Sequence, residues 1–157
     1  RRRHSFPTRR SSDHHVAASL VNLAGKHRVR EQWELARTRY ERALAIWEGS
    51  LGADHPHVLE AVAGLAELAL AEPRPAAAQA LRPRLERLLD TADLEPTARA
   101  RAEFLVAKIR WDAGEREPAR AAAERAHAAY VALGEPEVAA EVAAWIAEHF
   151  EGIDRGE

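Results

Sequence analysis

The chain has 157 residues, enough for one ordinary domain, and carries a formal net charge of −2 with 31 % charged residues. Cysteine is absent, which excludes disulfides, thiolate metal centres and a cysteine nucleophile. Charges interrupt every hydrophobic stretch before it reaches the length of a bilayer crossing, so no membrane insertion is expected. Methionine is absent too, so the sequence contains no start residue and reads as a fragment or a processed product.

Residues 4–13 read HSFPTRRSSD, which resembles one reading frame of a sequencing-adapter oligonucleotide; a natural basic tail or a targeting peptide is the alternative. Residues 1–13 are therefore expected to be a non-native, disordered leader and are set aside. Removing their five arginines and one aspartate takes the charge from −2 to −6. The basic arm that would have suggested nucleic acid disappears, and no nucleic-acid partner is expected.

From residue 14 the chain reads as helix after helix. Val16, Leu20, Leu23 and Ala24 recur at spacings of three and four, marking one apolar face. After a polar break near Arg28 to Glu31, Trp33, Ala36, Tyr40, Ala43, Leu44 and Trp47 repeat the pattern. Gly52 suits a helix end, Asp54 is placed to cap the next helix, and Pro56 is tolerated in a first turn. Leu23-Ala24 recurs 42 residues later as Leu65-Ala66, and RYERAL at 39–44 is echoed by RLERLL at 84–89. A third unit runs from about Thr97, with Ala107, Gly114, Ala119 and Ala126 marking helix, turn and helix. A last helix starts near Glu135-Pro136 and carries Val138, Val142, Trp145 and Ile146 on one side.

The expected fold is all-α: three antiparallel helix pairs and a C-terminal capping helix over residues 14–150, with 151–157 as a tail. Pro83 falls inside a predicted helix over 76–90, where it removes a backbone donor and clashes with the carbonyl of Gln79. A kink or a split into two helices is expected there.

The small residues at helix crossings carry a family resemblance. With Ala24 as the eighth position, Leu20, Leu23, Ala36, Tyr40 and Ala43 fall where a tetratricopeptide repeat places its signature residues. Ala107, Gly114, Ala119 and Ala126 do the same in the third unit, although Ala123 stands where a large residue is usual. The segment ERALAIWEGSLGADHPHV at 41–58 resembles the 42-residue variant of kinesin light chains and many bacterial proteins. More loosely, residues 110–150 are similar to the carboxyl-terminal end of myxobacterial serine/threonine kinases that carry such repeats. No glycine-rich loop, HRD or DFG is present, so any kinase activity would belong to a parent protein.

The resemblance implies a helical-hairpin solenoid that binds protein or peptide on its concave face, not an enzyme, with no cofactor and a cytoplasmic setting. An alternative is a recruitment tail of a bacterial serine/threonine kinase. Carried over position by position, the groove residues are Asn22 and Arg28 in the first unit, Glu60 and Glu67 in the second, and Arg101, Phe104, Lys108 and Trp111 in the third. Exposed terminal repeat faces also permit self-association.

Other constellations read as structural. Asp54, His55 and His57 lack the converging ligands a zinc site needs, so no metal is expected, and the histidines are read as facing solvent beside the cap. Carboxylates interleave with arginines as helix-surface ion pairs, and no catalytic pair stands out. Trp33, Trp47 and Trp145 share apolar faces and read as core, with Trp111 nearer the groove.

Overall fold

In the computed structural model, the described residues 9–72 and 74–150 form α1 (Arg9–Val29), α2 (Trp33–Leu51), α3 (Pro56–Ala71), α4 (Pro75–Thr91), α5 (Pro96–Asp112), α6 (Arg116–Leu133) and α7 (Pro136–Phe150). No strand occurs among them. The all-α reading holds. Helix α1 begins at Arg9, before the predicted boundary at residue 14. Residues 1–8 and the predicted tail at 151–157 lie outside the described residues.

Local sequence sets where each helix starts and stops. Four helices begin on a proline, at Pro56, Pro75, Pro96 and Pro136, where the missing N–H costs nothing because that donor has no intrahelical partner. Gly134 ends α6 in the left-handed conformation, with φ 72° and ψ 32°, and its N–H returns to the carbonyl of Val131.

Two expectations need correction. Helix α4 runs as one element through Pro83 and is not split. The missing donor does not break the helix, because Pro83 is exposed and its neighbours Leu85, Leu88 and Leu89 anchor the helix in the core. The cap of α3 is not Asp54 but His55, whose Nδ1 accepts the backbone N–H of His57 at 3.2 Å. Asp54 instead meets Arg87 of α4 at 2.8 Å.

Consecutive helices pack against each other throughout, and α1 with α3 and α3 with α5 also touch. The odd-numbered helices thus form one layer, with α2, α4 and α6 behind it. Alanine makes this closeness available: Ala17, Ala24, Ala36, Ala43, Ala61, Ala66, Ala107, Ala119, Ala122 and Ala126 are all fully buried at the crossings. Leucine, valine and Trp47 fill the space between, in a core running from Ala17 to Ile109. The tightest approach is at Gly64 of α3. A Cβ there would lie 2.4 Å from the ring of Tyr40, so α3 accepts the α2 tyrosine only because position 64 has no side chain.

The first helix has no preceding helix to cover it among the described residues. Val16 and Leu23, expected on its buried face, remain 45 % and 38 % exposed.

Candidate functional site

The odd-numbered helices line a groove of about 630 Å³. Its residues come from the C-terminal end of α1 (Arg28), the second half of α3 (Glu67, Leu70), the length of α5 (Arg101, Phe104, Lys108, Trp111), the end of α6 (Tyr130) and α7 (Val138, Glu141, Trp145, His149). Spacings of three and four along α5 turn Arg101, Phe104, Lys108 and Trp111 to one side of that helix. The same spacing brings Val138, Glu141 and Trp145 to one side of α7.

At one end of the groove, a single carboxylate links three helices. Glu67 of α3 accepts the Nε–H of Arg101 at 2.7 Å and faces Arg28 Nε of α1 at 3.4 Å. Burial works against the Arg101 charge, but the hydrogen bond and charge of Glu67 outweigh it and hold the guanidinium above its ordinary pKa. Tyr40 reaches the same spot from α2. Burial, then the charge of Glu67, pushes its hydroxyl above the usual tyrosine range, while Arg28 and Arg101 pull the other way. Tyr130 is likewise raised, by burial first.

The other end is aromatic. Trp111 and Trp145 meet edge to face at 6.1 Å, Phe104 meets Trp145 at 5.6 Å, and His149 stacks on Trp145 at 4.4 Å. Phe150 closes the cluster from beneath, 4.9 Å from Trp111, and is buried. The Arg116 guanidinium covers one face of Trp111 at 3.5 Å.

Lys108 lies between these two ends. Its ammonium sits 4.1 Å from the Phe104 ring centre and makes no ion pair among the described residues. Burial pulls its pKa below the ordinary lysine value, with Glu67 and Glu141 countering that without touching it. Lys108 is thus a half-buried cation beside one aromatic ring, with no carboxylate in ion-pair contact among the described residues.

Six of the eight residues expected from the sequence are brought together here: Arg28, Glu67, Arg101, Phe104, Lys108 and Trp111. Two are not. Asn22 is exposed on α1 away from the groove, and Glu60 sits at the start of α3, where its carboxylate meets His57 Nδ1 at 2.9 Å. Trp145, expected in the core, lines the groove with Val138, Glu141 and His149. Helix α7 packs on α6 and in addition forms one wall. The signal was present in the sequence, because Val138, Glu141 and Trp145 repeat the spacing of Arg101, Phe104 and Lys108.

No group of three or more His, Asp or Glu side chains among the described residues is arranged to hold a metal ion. No helix among them is long and apolar enough to cross a membrane.

Residues 15–82 match the family model described as tetratricopeptide repeat. That segment carries the tetratricopeptide-repeat pattern. Among solved structures it is similar to the crystal structure of BtubC (BKLC) from P. vanneervenii, with a TM-score of 0.66 at 21 % identity. The match covers 76 % of this chain and 48 % of that one, so this chain spans about half the length of BtubC. That likeness extends the repeat fold beyond the matched segment. No curated protein matches the sequence. Tetratricopeptide repeats generally mediate protein–protein contacts, and the packed alanine crossings seen here are what stacking such hairpins requires.

Proposed function

We propose that this chain is a non-enzymatic interaction module that holds a segment of a partner protein in the groove formed by α1, α3, α5 and α7. The observation that carries this reading is the pairing of an aromatic wall with a cation that has no carboxylate partner among the described residues, in one concave site. Trp111, Trp145 and Phe104 offer apolar surface of the kind that dominates interface energetics, and Lys108 offers charge with no ion-pair partner among the described residues. An extended or helical segment with an apolar side chain next to an acidic one fits both. The Arg28–Glu67–Arg101 array is internally neutralised except for one positive charge, and it sets register more than affinity.

The test is a peptide-display screen against the full chain, followed by affinity measurement of the selected peptides on single variants. Trp111→Ala and Lys108→Ala are expected to weaken binding, the tryptophan by roughly 30-fold or more if it acts as an anchor. Asn22→Ala and Glu60→Ala, outside the groove, are expected to leave affinity within about twofold. Selected peptides that bind all four variants equally would place the interaction elsewhere on the surface.

A further inference from the structure

A second cluster lies at the opposite side of the stack, where α1, α2 and the start of α3 meet. Three imidazoles gather there around Trp47, which is fully buried. The rings of His14 and His57 are 4.6 Å apart, those of His55 and His57 are 5.2 Å apart, and Trp47 stacks on His57 at 5.5 Å. Two of these imidazoles serve as hydrogen-bond acceptors. His14 Nδ1 receives the indole N–H of Trp47 at 3.2 Å, and His55 Nδ1 receives the backbone N–H of His57 as the cap of α3.

A protonated imidazole has no acceptor nitrogen. Protonating His14 leaves the buried Trp47 N–H without a partner, and protonating His55 removes the cap and sets a positive charge on a helix N-terminus, where the helix dipole opposes it. Either charge also faces the other rings at close range. The surrounding anions offer little relief. Asp54 is engaged by Arg87 and Glu48 by Arg84, both from α4. Glu60 is taken up by His57 Nδ1 at 2.9 Å and forms no ion pair with His14 or His55 among the described residues. On α1, His15 adds a fourth imidazole 5.8 Å from His14, and Asp13 makes no ion pair among the described residues.

We propose that His14, His55 and His57 form an acid-operated latch that holds the N-terminal half of α1 onto α2 and α3 at neutral pH and releases it on protonation. Release uncovers Ala17, Leu20, Val58 and Trp47, an apolar surface that is closed when the latch is shut. The direction of the His55 shift agrees: burial, then the charges of His57 and His14, hold its pKa below the ordinary value. The unfolded segment then binds the proton more readily than the folded one. Stability is therefore fully present above about pH 6.5 and is lost as pH falls through and below it.

The test is amide hydrogen exchange of the full chain at pH 7.5 and pH 5.0, corrected for the intrinsic rates, alongside the thermal midpoint at both pH values. Residues 14–24 and the first turn of α3 are expected to open roughly 10- to 100-fold more often at pH 5.0, from two lost acceptors, while α5 and α6 hold. The triple variant His14→Gln, His55→Asn, His57→Gln removes the titration and keeps a capping side chain, and it is expected to abolish the difference between the two pH values. The variant His127→Gln, outside the cluster, is expected to keep it. Equal protection of α1 at both pH values in the unmodified chain overturns the latch, whether or not the triple variant folds. So does a pH dependence that persists in a folded triple variant.

Discussion

The Gly64–Tyr40 contact offers a quantitative check on how the hairpins pack. In the middle of an ordinary helix, Gly→Ala stabilises by roughly 1 kcal/mol, because alanine has less backbone freedom to lose. Gly64 sits in the middle of α3, yet its Cβ would lie 2.4 Å from Cε1 and Cζ of Tyr40 and 2.8 Å from Cδ1. Carbon atoms prefer about 3.5–4.0 Å, so the ring has to retreat by roughly 1 Å. It has little room to do so: Tyr40 is 3 % exposed and its hydroxyl lies in the field of Arg28 and Glu67. Overpacking of this kind costs about 1–3 kcal/mol, and a contact this short belongs at the upper end.

Gly64→Ala is therefore expected to destabilise by about 1–2 kcal/mol net, lowering the thermal midpoint by roughly 3–8 °C for a domain of this size. Gly49 supplies the internal control, since it is an exposed helical glycine of α2 with nothing within 4 Å of an added Cβ. Gly49→Ala is expected to raise the midpoint by a few degrees. Circular dichroism at 222 nm, with urea titration for the free energies, measures both variants. Replacing Tyr40 by leucine in the Gly64→Ala background should recover part of the loss. If Gly64→Ala stabilises the chain as much as Gly49→Ala does, the close approach of α2 and α3 described above is wrong.

Two further outcomes are expected. Pro83→Ala should stabilise by about 1–3 kcal/mol in urea, since it restores a helical donor at an exposed position of α4 without touching the core; a loss of stability would show that the ring shapes the helix. Glu67→Gln should cost about 1 kcal/mol or less at low salt, because Arg28 and Arg101 are some 40 % exposed and solvent screens much of their charge. The cost should shrink in 1 M salt, and a salt-independent difference would remove the electrostatic account of that end of the groove.

Helix existence was legible because alanine and leucine recur at helical spacing between glycine and proline signals, and Gly134-Glu135-Pro136 alone stops α6 and starts α7. The groove was legible in phase but not in height. A repeat frame says which side of a helix a residue faces, and for that reason Arg101, Phe104, Lys108 and Trp111 fall together. It does not say how far along the axis the groove crosses. Asn22 and Arg28 both belong to the predicted groove side of α1 but stand about 9 Å apart along it, at 1.5 Å per residue, and about 120° apart around it, and the groove meets α1 only at its end. Glu60 and Glu67 differ in height in the same way on α3. The histidine cluster was hidden for another reason. His55 and His57 acquire their meaning from His14, distant in sequence, and from the indole of Trp47, and local reading sees only a polar turn.

The groove draws on helices far apart in the sequence, with Arg28 from α1 and His149 from α7. In a linear array of hairpins each unit is held only by its neighbours, and the terminal units open most readily. An occupant that touches α1 and α7 together binds only molecules in which both helices are docked. Occupancy and opening of these helices are then thermodynamically linked: the bound segment suppresses opening by the factor 1 + [L]/Kd, and opening raises the apparent Kd by the factor 1 + Kopen, where Kopen is the ratio of open to closed molecules. Affinity for the groove thus reports the opening of α1 or α7 once the open form is appreciably populated.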